Sequence, residues 1–307
     1  MNNPIPTHPL AGIYAAPVTP LKADFSPDLE ALPGLLSHLA KNGAHGALLL
    51  GTTGEGPSFS PTERAAIWQA ALSVRQEHPE FRLLAATGTP SLGETIELNK
   101  TAFDLGYDAV VSLPPYYFRS ATEEGLFDWF SAVIERSLPS DGRLLAYHFP
   151  KVSGVSLSIG LLKRLADAFP GQFAGIKDSS GDFEHAKTLV RELGADWLVL
   201  PGNDKLLGPG LAAGASGCMT APANLISPLL RALWDAYHAG EDTAALQSQI
   251  DQARTLLEGY PPFPASLKGL LAELHGFPLW PVRPPLVDMD NSAVQEGSAK
   301  LASIFHG

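Results

Sequence analysis

The chain holds a single cysteine in 307 residues, Cys218, so it can form no intrachain disulfide and no cysteine-based metal centre. A small buried thiol in a reducing compartment, the cytoplasm, is the expectation. Basic residues are scarce: 21 Lys and Arg stand against 32 Asp and Glu, a net charge of −11, with no basic cluster. A phosphate-binding face needs such a cluster, which argues against nucleic acid as a partner. No apolar run reaches the roughly eighteen residues of a membrane span. Met1 to Leu10 has neither the basic start nor the apolar core of a secretion signal. Nucleotide-binding and hydrolase motifs are missing too, and Gly208-Pro209-Gly210-Leu211-Ala212-Ala213-Gly214 has the wrong spacing for a dinucleotide fingerprint. The nine histidines show no metal-binding motif and no comparable pairing with acids, so no metal is expected.

What is present is a large apolar reserve. With 45% hydrophobic and 17% charged residues, the chain can bury a sizeable core. Short apolar runs recur at Ile13 to Val18, Ala47 to Leu50, Leu83 to Ala86, Ala109 to Leu113, Leu144 to Tyr147, Phe173 to Ile176, Leu198 to Leu200 and Ser216 to Thr220. Stretches with helical spacing separate them: Asp28 to Lys41, Pro61 to Gln76, Leu92 to Leu105, Glu123 to Leu138, Ile159 to Phe169 and Asp182 to Leu193. Strands alternating with helices pair in parallel, and eight such units predict an α/β fold, a closed (β/α)8 TIM barrel over residues 1–220. Beyond Thr220 the pattern turns helical, at Leu225 to His238, Ala244 to Leu257 and Ser266 to His275, and ends in a proline-rich stretch, Pro278 to Pro285. Residues 221–307 therefore read as a C-terminal helical extension packed on the barrel.

In such barrels chemistry collects where strands end. The sixth run ends in Lys177, and alternation puts Gly175 and Lys177 on one face and Ile176 on the other. The apolar Ile176 suits the outer helix layer, which turns Lys177 inward over a glycine that leaves room. A lysine held against apolar walls is more readily a free amine, a nucleophile towards ketones. The fifth run places Leu145 and Tyr147 on one face, with Tyr147 at the mouth, and His148 opposite as a buried, hydrogen-bonded packing residue. The turn Gly51-Thr52-Thr53-Gly54-Glu55-Gly56 is short and glycine-rich, so its N–H groups and the two hydroxyls can converge on a carboxylate.

Four segments, Gly51-Thr52-Thr53-Gly54-Glu55, Pro114-Pro115-Tyr116-Tyr117, Tyr147-His148-Phe149-Pro150 and Gly175-Ile176-Lys177-Asp178, in this order and at barrel-strand spacing, resemble the dihydrodipicolinate synthase and N-acetylneuraminate lyase family. The resemblance spans nearly the whole chain. It implies a class I lyase in which pyruvate forms a covalent imine with Lys177, with no other cofactor and no metal. Tyr147 then relays protons, its acidity tuned by Thr53 and Tyr117, and Thr52 and Thr53 hold the keto-acid carboxylate. It further implies that Tyr117 reaches a neighbouring subunit's site, hence a homodimer or homotetramer, and that Gly202, Asp204, Met219 and Val152 face the second substrate.

Departures from the family pattern bear on that substrate. Synthases of this family carry an arginine where this chain has Val152, and an apolar residue cannot replace a bidentate carboxylate clamp. Gly202-Asn203-Asp204 matches the hydroxyl-binding loop of the sugar-acid branches, but Lys205 stands where neuraminate lyases place a glutamate, which argues against sialic acid. The run from Gly54 to Ser60 is similar to a loop of 2-keto-3-deoxygluconate aldolases. The expected reaction is cleavage or condensation of pyruvate and an aldehyde, on a 2-keto-3-deoxy sugar acid. The alternatives are 4-hydroxy-tetrahydrodipicolinate (dihydrodipicolinate) synthase, a sugar-acid dehydratase, and a noncatalytic keto-acid-binding barrel.

Overall fold

A computed structural model describes residues 8–194 and 196–306. Met1 to Thr7, on which most of the amino-terminal reading falls, lie outside the described residues. All eight expected strands form, as β1 (Gly12–Ala15), β2 (Gly46–Leu49), β3 (Arg82–Ala86), β4 (Ala109–Ser112), β5 (Leu144–His148), β6 (Phe173–Asp178), β7 (Leu198–Pro201) and β8 (Gly217–Thr220). They make one sheet in the order β7-β6-β5-β4-β3-β2-β1-β8. The two ends of that order meet, because Ser216 N–H donates to the Val199 carbonyl at 2.9 Å. The fold is a (β/α)8 barrel. Nearly every strand residue is buried on both sides, which is why the strands read as continuous apolar runs rather than as alternation.

The helices are α1 (Leu32–Lys41), α2 (Pro61–Ala71), α3 (Val74–Glu77), α4 (Leu92–Asp104), α5 (Glu123–Ser137), α6 (Pro150–Ser153), α7 (Ile159–Ala168), α8 (Phe183–Leu193), α9 (Leu207–Ala212), α10 (Ala223–Ala239), α11 (Ala244–Glu258), α12 (Phe263–His275) and α13 (Asn291–His306). Ser60 and Glu63 form the reciprocal capping box that starts α2, and Ser91, Thr122, Ser158 and Asp182 cap α4, α5, α7 and α8.

Several boundaries differ from the sequence expectation for local reasons. Helix α1 is regular from Leu32, and Asp28 caps the turn that leads into it, its carboxylate accepting the Ala31 N–H at 3.2 Å and its carbonyl the Leu32 N–H at 3.3 Å. The stretch from Pro61 to Gln76 is two helices, broken beside Ser73, whose hydroxyl takes the Ala70 carbonyl. Helix α10 has a non-helical residue at Ile226, since Pro228 has no N–H to offer the Asn224 carbonyl and its ring crowds it. The chain does not end its helical pattern at the prolines: α13 follows, its first turn fixed by Asp290, which accepts from the Ser292 N–H at 2.8 Å.

Contacts divide the chain into two compact units. One joins residues 13–81 to the segment from residue 220 onward, so α10 to α13 cluster with the first strands. The other comprises residues 82–219 with the described residues up to Gly12. In the first, Asn224 stitches α10 to β1: its amide nitrogen donates to the Ala16 carbonyl at 2.8 Å and its oxygen accepts the Val18 N–H at 3.2 Å. In the second, β3 to β7 pair in parallel, with Tyr147 beside Lys177 and His148 beside Asp178 across the β5–β6 ladder.

Candidate active site

The end of β6 carries the lysine, and its neighbour on β5 supplies a phenol. Lys177 is 4% exposed, and its Nζ lies 4.3 Å from the centroid of the Tyr147 ring, itself 3% exposed. Phe149 stacks on the same ring at 5.8 Å. Among the described residues no carboxylate pairs with Lys177. The opposite face can be identified independently. His148 and Asp178, one residue further along each strand, reach His185 of α8, so their side chains point to the helix layer. Alternation then turns Tyr147 and Lys177 away from the helices, into the barrel.

A Cβ at Gly175 would lie 2.4 Å from the Leu198 Cβ and 2.5 Å from the Leu198 carbonyl oxygen, so the glycine lets β7 approach β6 closely. Gly202 has the same logic one turn later. Its N–H donates to the Asp178 carbonyl at 2.7 Å, and a Cβ would strike the Ser179 hydroxyl at 2.0 Å.

The outer face holds a cluster that no sequence motif announced. His148, Asp178 and His185 bring their ligand atoms within 4.8 Å of one another. Asp178 accepts from His185 Nδ1 at 2.9 Å and from the Ser180 N–H at 2.9 Å. Burial works to raise the Asp178 pKa, but these hydrogen bonds outweigh it and hold the carboxyl below its usual range. The hydrogen bond to Asp178 pushes His185 up, while burial pushes His148 down. The Leu157 N–H donates to His148 Nδ1 at 3.2 Å, which puts the ring proton on Nε2. An imidazole in that tautomer has no lone pair left for a metal, since the ring nitrogen facing a metal must be bare while the other carries the proton. The cluster is a hydrogen-bonded brace under the β5 and β6 ends, not a cation site.

In the other unit, the turn after β2 is tightly built. Leu50 and Glu55 both adopt left-handed backbone, at φ of 59° and 57°. A Cβ on Gly56 would sit 1.8 Å from the Leu50 carbonyl oxygen, so only glycine closes the loop. The loop's carbonyls are consumed: Gly51 O accepts from Gly56 N–H, Gly54 O from the Thr19 hydroxyl, and Gly56 O and Phe59 O from the buried Arg64 guanidinium. Thr53 is buried and Thr52 is exposed.

Sequence reasoning missed what holds this turn. The Glu55 side chain is fully buried; Lys268 of α12 donates to its Oε1 at 2.5 Å and the Arg283 N–H to its Oε2 at 2.7 Å. Lys268 also donates to the Pro281 carbonyl at 2.6 Å. Burial pushes the Lys268 ammonium down against the pull of Glu55. The Arg283 guanidinium donates to the Phe25 and Ser58 carbonyls and to Glu63, holding Glu63 down at about 2. The available signal was Lys268 itself, a lone charge in the apolar run Ala265 to Leu271.

The remaining expected residues are dispersed by exposure. Tyr117 is 76% exposed and makes an edge-on contact with the equally open Phe118. Val152, on α6, is exposed. Asp204 and Met219 are wholly buried, and Asp204 adds to the burial that pushes the neighbouring Cys218 thiol well up.

The model of the dihydrodipicolinate synthetase family matches residues 9–304. An "uncharacterized DapA-like lyase" of Chloroflexus aurantiacus is 38% identical over 96% of this chain and 97% of its own length. The 4-hydroxy-tetrahydrodipicolinate synthase of Moorella thermoacetica is 32% identical over 95% and 96%. Among solved structures, YagE of E. coli K12, a dihydrodipicolinic acid synthase family protein in complex with pyruvate, superposes with a TM-score of 0.89 at 26% identity, covering 96% of this chain and 99% of that one. A family match over residues 9–304 and a relative 38% identical along 96% of the chain place this protein, with its buried lysine against a tyrosine at the ends of β5 and β6, among the enzymes of the dihydrodipicolinate synthetase family, pyruvate-dependent lyases that act through a Schiff-base lysine.

Proposed function

We propose that the protein is a class I aldolase that joins or splits pyruvate and an aldehyde, with a 2-keto-3-deoxy sugar acid as substrate. The observation that carries this reading is Lys177, buried, without a carboxylate partner among the described residues, and lying over Tyr147. Its amine adds to the keto carbon to give a carbinolamine; loss of water leaves an iminium that accepts the electron pair when the neighbouring carbon–carbon bond breaks. Tyr147 moves the protons that this requires, assisted by Thr53 and by Tyr117 of an adjoining copy. Thr52 and Thr53 hold the keto-acid carboxylate, and Gly202, Asp204, Met219 and Val152 shape the aldehyde side. The exposed Tyr117 and Phe118 pair supports a homodimer or homotetramer; the cytoplasm is proposed as its location on the single buried, unpaired cysteine.

A synthase acting on an aldehyde that bears a carboxylate is the second reading, favoured by the Moorella relative's name and opposed by the apolar, exposed Val152. Borohydride reduction in the presence of pyruvate, followed by peptide mass mapping, tests the first step: the adduct belongs on Lys177, and its absence defeats the proposal. Assays of sugar-acid cleavage against condensation with aspartate semialdehyde separate the two readings.

A further inference from the structure

The turn proposed to hold the keto-acid carboxylate is held from outside as well as by its own hydrogen bonds. Glu55 lies two residues from Thr53 in left-handed backbone, and its two carboxylate oxygens are taken by groups from the far end of the chain, Lys268 and the Arg283 amide. Lys268 is itself pinned to Pro281, and Val282 N–H to Asp288 at 2.8 Å, so the proline-rich segment is a fixed partner. Arg283 grips the same loop from outside, through Ser58 O at 2.6 Å and its guanidinium 4.1 Å over the Phe59 ring. A carboxylate shut away from water in a turn, between a lysine and an amide, adds charge-assisted hydrogen bonds to those within the turn and ties its backbone to them. This turn, early in the sequence, is therefore held by α12 and by the proline-rich segment that follows it.

We propose that Glu55 is a positioning residue: held by Lys268 and Arg283, it sets the Thr52-Thr53 backbone in the geometry that receives the keto-acid carboxylate. The inference rests on the proposed reading of that turn. Glu55 touches no substrate; its effect is on how well the ground state is bound and aimed.

The test compares Glu55→Gln with the wild type and with Leu257→Ala, a core change in α11 of the same unit that lowers stability without touching the loop. Pyruvate dependence of borohydride trapping on Lys177 and steady-state kinetics are measured together with Tm. In Glu55→Gln the pyruvate concentration for half-maximal trapping, and KM, rise ten-fold or more while kcat stays within about three-fold; Glu55→Asp lies between. Leu257→Ala loses Tm at unchanged KM. If Glu55→Gln behaves as Leu257→Ala does, the inference is overturned. If the wild type gains no adduct, the underlying reading fails instead. Should Glu55→Gln not accumulate folded, Glu55→Asp, which keeps the charge but draws it one methylene back from Lys268 and the Arg283 amide, carries the KM expectation in the same direction and the same refutation.

Discussion

Lys177 holds its amine over the face of Tyr147, not beside a carboxylate, and the two residues are register partners at the ends of adjacent strands. Tyr147→Phe keeps that ring and removes the hydroxyl. We expect kcat to fall by about 10² to 10⁴, the usual contribution of general acid–base help, with the Lys177 adduct still trapped, more slowly. Lys177→Ala should yield neither adduct nor turnover.

Gly175→Ala tests the close approach of β6 and β7. The new methyl meets the Cβ and carbonyl oxygen of Leu198, neither of which is the end of a flexible side chain. Overpacking of this kind costs about 1 to 3 kcal/mol, to be read as a lower denaturation midpoint at unchanged slope.

The Asp178–His185 brace predicts a pH window. Asp178 is depressed, so its contribution is present above its ordinary value of 3.8 and is lost as acid protonates it. His185 is raised, so its contribution is complete below its ordinary 6.5 and is lost as pH climbs through the folded value. The stability gap between wild type and His185→Gln should be widest between those two values, about 1.5 to 3 kcal/mol for a hydrogen bond to a charged group, and should close on either side. Because His148 presents its protonated nitrogen, added zinc should leave Tm unchanged; a zinc-dependent rise would show that the Leu157 contact yields.

Lys268→Met leaves the Glu55 carboxylate buried and short of its cation, at a cost of about 3 to 5 kcal/mol. Adding Glu55→Gln to it removes the stranded charge, and most of the loss should be recovered in the double variant, as measured by chemical denaturation.

The strands were legible because burial on both faces leaves an unbroken apolar signature, and Lys177 stood out as a charge at the end of one. Periodicity could also assign Tyr147 and Lys177 to one face, since strand alternation is rigid. What could not be read were contacts that depend on distant chain segments. Glu55 sits in a glycine-rich turn where acids are common, and its partners are 213 and 228 residues away. His185 looked like one more helix residue until Asp178 met it across the β6–α8 connection. Helix α13 escaped notice because the prolines before it suggested an ending, although Asp290 restarts the chain.

The lock between Glu55 and Arg283 has a consequence for biosynthesis. A nascent chain can form β2 early, but the turn that follows has no counterion and no second donor until residues 268 to 283 have left the ribosome. Until then a carboxylate meant for a dry cavity stays hydrated, and the turn proposed to hold the substrate cannot take its final form before almost the entire polypeptide has been made.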